Sequence, residues 1–101
     1  MTFPASMVDL HTHSRASDGS DTPSELVAHA VETGLHGIAL TDHDTVSGIP
    51  EFLDAAAERT IRAVPGLEIS STLFNREIHI LGLFIDHTSE KLADFLKEAR
   101  K

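Results

Sequence analysis

Asp9-Leu10-His11-Thr12-His13-Ser14 lies at the start of the first apolar run and reads as an extended segment with two histidines two residues apart. Alternate residues of a strand point the same way, so His11 and His13 stand side by side, about 6.5 to 7 Å apart along the strand. Two imidazoles at that spacing can converge on one metal ion at about 2.0 to 2.1 Å from each nitrogen. Asp9 falls on the same face one step behind, where it can hold an imidazole in the tautomer that a metal requires. By itself a His-x-His pair fits a metal site and a solvated strand end equally well.

The placement of the other imidazoles and carboxylates breaks that tie. Ser17-Asp18-Gly19 follows within a few residues, where a loop leaving the strand brings Asp18 back over the histidines. Thr41-Asp42-His43-Asp44 ends the second apolar run, Gly37 to Leu40, and Gly66-Leu67-Glu68 follows the third, Arg62-Ala63-Val64, with a carboxylate able to bridge two cations. His79 sits inside the fourth run, Ile78 to Ile85. Four consecutive strand-like segments each deliver a ligand, mostly near their C-terminal ends, which is where open α/β sheets and barrels build sites. His29, His36 and His87 read as structural or solvated, the first in mid-helix and the others in turns or element ends.

Composition agrees. The chain has 101 residues, one domain at most, and its 41% hydrophobic and 24% charged content fits an ordinary soluble protein. Met1 to Ser6 has neither a basic start nor a long apolar core, and no segment is long enough to span a membrane, so the expected location is cytoplasmic. With no cysteine, any metal must be held by imidazole and carboxylate, a donor set that suits zinc, manganese or iron. The formal net charge of -8 argues against general nucleic-acid binding. Half of the basic residues, Lys91, Lys97, Arg100 and Lys101, crowd the last stretch. Cations gathered by carboxylates would set the local field, so a phosphorylated small molecule or nucleotide remains a fitting partner.

Thr22-Pro23-Ser24-Glu25 predicts a helix start with an N-cap, an early proline and a capping-box glutamate, and Gly34 marks its end. A second helix starts near Ser47 or Gly48 with Ile49, Phe52, Leu53 and Ala56 at helical spacing. A third follows Thr88-Ser89 and carries a core stripe of Leu92, Phe95, Leu96 and Ala99. The order strand, helix, strand, helix, strand, strand, helix predicts an α/β fold with a mostly parallel sheet and flanking helices. The last two strands, Arg62 to Ser70 and Glu77 to Ile85, are close enough for an antiparallel hairpin through Ser71 to Arg76. Ala39-Leu40 and Ile80 to Ile85 read as strands buried on both faces.

Together, Asp-x-His-x-His-Ser, Ser-Asp-Gly, Thr-Asp-His-Asp, Pro-Gly-Glu and Ile-His-Ile-Leu-Gly resemble the polymerase and histidinol phosphatase (PHP) family between about Val8 and Ile85. Ser17-Asp18-Gly19 and Thr41 to Thr45 are most similar to its stand-alone metal-dependent phosphoesterases. The resemblance implies a distorted (β/α)7-type barrel, a centre of up to three divalent ions, and hydrolysis of phosphomonoesters of nucleotides or short oligonucleotides by metal-activated water. It implies that His11 and His13 bind one ion, that Glu68 bridges, that His79 binds a second ion, and that Asp18 and His43 bind the third. Asp9, Asp42 and Asp44 then either support these ligands or only finish strand ends. Arg15 either grips a substrate phosphate or faces solvent. Asp18 as a general acid is the less favoured alternative to its ligand role.

A complete barrel takes about 250 residues, and three tetrahedral ions need about twelve coordination bonds. Residues 1–101 are therefore expected to form the N-terminal part of a PHP domain, with C-terminal ligands absent and sheet edges exposed to self-association. The alternative function is a non-catalytic metal-binding or assembly module, inactive alone.

Overall fold

Strands and helices alternate in the computed structural model in the predicted order: β1 (Val8–Thr12), α1 (Pro23–Glu32), β2 (Gly37–Leu40), α2 (Ile49–Arg59), β3 (Arg62–Leu73), β4 (Arg76–Leu83) and α3 (Glu90–Ala99). The structure describes residues 7–73 and 75–99. The leader reading of Met1 to Ser6, the place of Phe74 in the loop, and Arg100 and Lys101 of the basic stretch lie outside the described residues.

The local signals for α1 act as expected. The Glu25 amide donates to Thr22 Oγ1 at 3.1 Å, and the Thr22 amide donates to Glu25 Oε1 at 3.0 Å, so both halves of the capping box form. Gly34 follows the C-cap with φ 84° and takes the left-handed turn that ends the helix. Thr22→Ala is expected to cost about 1 kcal/mol of stability, read from the urea midpoint, because the Glu25 amide at the helix start loses its side-chain acceptor.

β1, β2 and β3 are parallel neighbours, and β4 returns antiparallel to β3. The result is a four-stranded curled half-barrel with three helices, which matches the expected N-terminal part of a distorted barrel. Both crossover helices pack on one side of the sheet. Val27 and Ala30 of α1 meet Ile49, Phe52 and Ala56 of α2 over Ile38 and Leu40 of β2, with Ile61 at the rim. β2 is buried along its whole length, as its apolar run predicts. Among the described residues no helix is long and apolar enough to cross a membrane.

The second strand expected to be buried on both faces is not. β4 is an edge strand ending at Leu83, with Ile80 54% exposed and Phe84, just beyond it, 76% exposed at φ 58°. An apolar run reads the same whether or not another element covers it, and among the described residues no other strand pairs with the outer edge of β4. β1, at the opposite edge, likewise exposes Val8 and Leu10. The α3 stripe is also only partly core: Leu96 is buried beside Val46, whereas Phe95 is 51% exposed. The hairpin is longer than predicted, with pairing that runs out to Leu73 and Arg76 and Asn75 left-handed in the turn.

Candidate metal centre

The six predicted ligands come together at one end of the sheet. Continuation of the β2–β3 pairing past Leu40 builds the centre. The Thr41 amide and hydroxyl both donate to the Thr12 carbonyl, which ties the end of β1 to β2. The Glu68 amide then donates to the Asp42 carbonyl, and the Asp44 amide donates to the Glu68 carbonyl, so His43 and Glu68 form one further parallel bridge. In the hairpin, Ser70 pairs with His79, which sets His79 diagonally next to Glu68.

Glu68 is the hub, and only 3% of it is exposed. Its Oε1 contacts His11 Nε2 and lies 3.0 Å from His13 Nε2, while its Oε2 lies 2.6 Å from His79 Nδ1 and 3.5 Å from His43 Nδ1. Asp18 closes the other side, with Oδ1 at 2.7 Å from His13 Nδ1 and Oδ2 at 3.2 Å from His43 Nε2. The four imidazoles form a row, with centroid separations of 5.1 Å from His11 to His13, 4.3 Å from His13 to His43, and 5.1 Å from His43 to His79.

Three triads have ligand atoms close enough to share an ion: His11, His13 and Glu68; His13, Asp18 and His43; and His43, Glu68 and His79. Glu68 joins two of them, as a bridging carboxylate would. His13 and His43 each lie in two triads, so the grouping is less partitioned than three separate ligand pairs.

Electrostatics keeps the carboxylates ionised. Burial acts to raise the Glu68 pKa, but hydrogen bonds from His11 and His13, the charge of His43 and a hydrogen bond from His79 hold it down at about 2. For Asp18, desolvation also works upward and is outweighed by the charge and hydrogen bond of His13 and the charge of His43, which leaves it below the ordinary range. His79 is raised, first by its hydrogen bond with Glu77 and then, against burial, by Glu68.

The donor set fits divalent ions. Imidazole and carboxylate suit zinc, manganese or iron, and His43 Nδ1 is buried with no hydrogen-bond partner among the described residues, a cost that a metal at that nitrogen would remove.

Asp9, Asp42 and Asp44, expected either to support the ligands or to finish strand ends, accept hydrogen bonds from backbone amides and serine hydroxyls. Asp42 is buried and accepts from the Ser14 amide at 2.5 Å, the Ser14 hydroxyl at 2.6 Å and the Ser17 hydroxyl at 2.9 Å, so it holds the loop that carries Asp18. Gly19 completes that loop, because a Cβ there would collide with the His13 carbonyl. Asp44, left-handed at φ 54°, accepts the Ser70 amide at 2.9 Å and ties the ends of β2 and β3 together. Asp9 accepts from the His11 amide at 3.1 Å, serving the strand backbone rather than the ring. A register shift between Asp9 and Thr12 breaks the alternation that placed Asp9 beside His11. Arg15 gives one N–H to the Ser20 carbonyl at 3.2 Å on the exposed side of the loop. Sequence reasoning missed Ser14, Ser17 and Glu77; only the spacing of Glu77, two residues before His79 on one strand, could have flagged it.

The PHP domain family pattern matches residues 9–100. The chain is 46% identical over 92 residues to a 5'-3' exoribonuclease of Haemophilus influenzae, covering 91% of this chain and 34% of that protein. It is 43% identical over 94 residues to a 3',5'-nucleoside bisphosphate phosphatase of Chromobacterium violaceum, covering 93% and 33%. Its fold is similar to that of a Bifidobacterium adolescentis protein provisionally described as a metal-dependent phosphoesterase, with a TM-score of 0.86, 35% identity, and coverage of 94% and 33%. The chain thus spans about a third of the length of these relatives.

Proposed function

The chain belongs to the PHP domain family, and on that premise we propose that it carries the N-terminal ligand set of a metal-dependent phosphoesterase acting on phosphomonoesters of nucleotides or short oligonucleotides. The observation that carries this reading is the convergence of four imidazoles and the carboxylates of Asp18 and Glu68 in three overlapping triads, with the buried His43 Nδ1 making no hydrogen bond among the described residues. The ligands are His11, His13, Asp18, His43, Glu68 and His79, and the C. violaceum phosphatase and H. influenzae exoribonuclease support the nucleotide substrate class.

Divalent ions, when bound in such a site, lower the pKa of a water and offset charge on the phosphoryl oxygens. The protein's own part is positional. Glu68 holds the imidazoles convergent, and Asp42 fixes the loop that presents Asp18. Arg15, on the same loop, is the proposed phosphate-binding side chain, with guanidinium donors beyond the one given to Ser20. The exposed apolar residues on both edge strands support self-association of the chain.

A second reading is a metal-binding or assembly module inactive alone. Elemental analysis of the 101-residue chain, paired with hydrolysis of a generic phosphomonoester in added manganese, separates the two. The first reading expects more than one ion per chain and turnover that His11→Ala abolishes. Retained ions without turnover select the second, and no retained metal overturns both.

Metal affinity is also expected to rise with pH. Glu68, held at about 2, is ionised throughout and never limits binding. His79, raised above the ordinary value of 6.5, keeps its proton to higher pH, so protons compete with metal below that raised value and leave above it. Calorimetric titration should therefore show tighter binding at about pH 8 than at about pH 6, with proton release on binding.

A further inference from the structure

Glu77 is an acidic residue of β4 outside the ligand set. Its side chain is 71% exposed, and it appears in none of the triads of ligand atoms among the described residues. It lies two residues before His79 on the same strand, so both side chains stand on the face that Glu68 occupies, with Glu77 opposite Thr72 and His79 opposite Ser70. Glu77 Oε1 is 3.0 Å from His79 Nε2, while His79 Nδ1 faces Glu68 Oε2 at 2.6 Å.

An imidazole can offer a lone pair to a metal from one nitrogen only if the proton resides on the other. A carboxylate beyond the ring fixes that choice and holds the ring plane.

We propose that Glu77 is a positioning residue which keeps the His79 proton on Nε2 and so makes Nδ1 the ligating atom, an inference that rests on the metal-centre reading above. Glu77 touches neither the ions nor the phosphate in this arrangement, and it acts only through His79. The carboxamide of Glu77→Gln still accepts a hydrogen bond, whereas Glu77→Ala cannot.

The test is nitrogen-15 NMR of the full chain loaded with cadmium-113, which reports metal–nitrogen coupling at each ring nitrogen. The expected result is coupling at His79 Nδ1 in the parent chain and in Glu77→Gln. In Glu77→Ala that coupling should weaken or move to Nε2, with cadmium affinity down about 10-fold. Far-UV circular dichroism should be unchanged in both variants, since Glu77 is exposed. Coupling at His11, His13 and His43 with His79 coupled through Nε2, uncoupled, or indifferent to Glu77→Ala overturns the role of Glu77 alone. Absence of coupling at every imidazole overturns the metal centre and this inference with it.

Discussion

Glu68→Gln is expected to lose metal more severely than any other single substitution in the centre. The side chain keeps its shape and loses its charge, and that charge is what contacts His11, His13, His43 and His79 from one buried position. A carboxamide offers one neutral oxygen where two anionic oxygens face two different triads. Its NH2 group also turns a donor toward ring nitrogens that must be lone-pair donors to a metal. Loss of an outer partner of a metal site costs about 10- to 100-fold in affinity. Loss of the shared inner carboxylate should exceed that, read as metal content after dialysis, with any hydrolysis falling in parallel. Unchanged metal content would remove Glu68 from the centre.

The same substitution has a signature without metal. Glu68 has a depressed pKa, about 2 in place of 4.5, so its contribution to stability is fully present above pH 4.5 and is lost as pH falls through about 2. An acid titration of the metal-free chain followed by circular dichroism should show that component in the parent and lack it in Glu68→Gln.

Asp42→Ala is expected to have the largest effect on stability among the polar residues around the centre. Three donors converge on this buried carboxylate: the Ser14 amide, the Ser14 hydroxyl and the Ser17 hydroxyl. Ser14 is itself fully buried, so water cannot replace the lost acceptor without opening the loop. Each buried group left without a partner costs about 1 to 3 kcal/mol, which places the total at about 3 kcal/mol or more. That is a large share of the roughly 5 to 15 kcal/mol that stabilises a typical domain. Urea unfolding of the metal-free chain measures it directly. A loss below about 1 kcal/mol would mean that the loop does not depend on Asp42. Because the same loop presents Asp18 to His13 and His43, metal affinity should fall at that triad first, and the Glu68–His79 side should retain more of its own.

What was legible in the chain follows the range of the forces involved. The capping box of Thr22 and Glu25, the stop at Gly34 and the alternation of strands with helices depend on neighbours within a few residues, and each was readable as it stands. The six converging side chains were readable as well, because strand ends in a parallel α/β sheet gather at one edge whatever the details of packing. Burial of β4 was not readable. Ile80, Leu81 and Phe84 carry the same apolar signal as the residues of β2, yet β2 lies between two strands beneath two helices while β4 is an edge.

Residue types and their spacing by themselves determined the order of elements, the α/β class and the set of imidazoles and carboxylates that meet at the sheet end. Tertiary structure alone decided how those groups are shared: that Glu68 reaches four rings, that Asp42 turns inward to hold the Ser14–Ser17 loop, that Asp9 serves a backbone amide, and that Glu77 backs His79. The physical reason is that a carboxylate carries no local preference for the partner it will find. Its role is set by whichever donors the register of distant strands places within about 3 Å of it, and that register is a property of the assembled sheet.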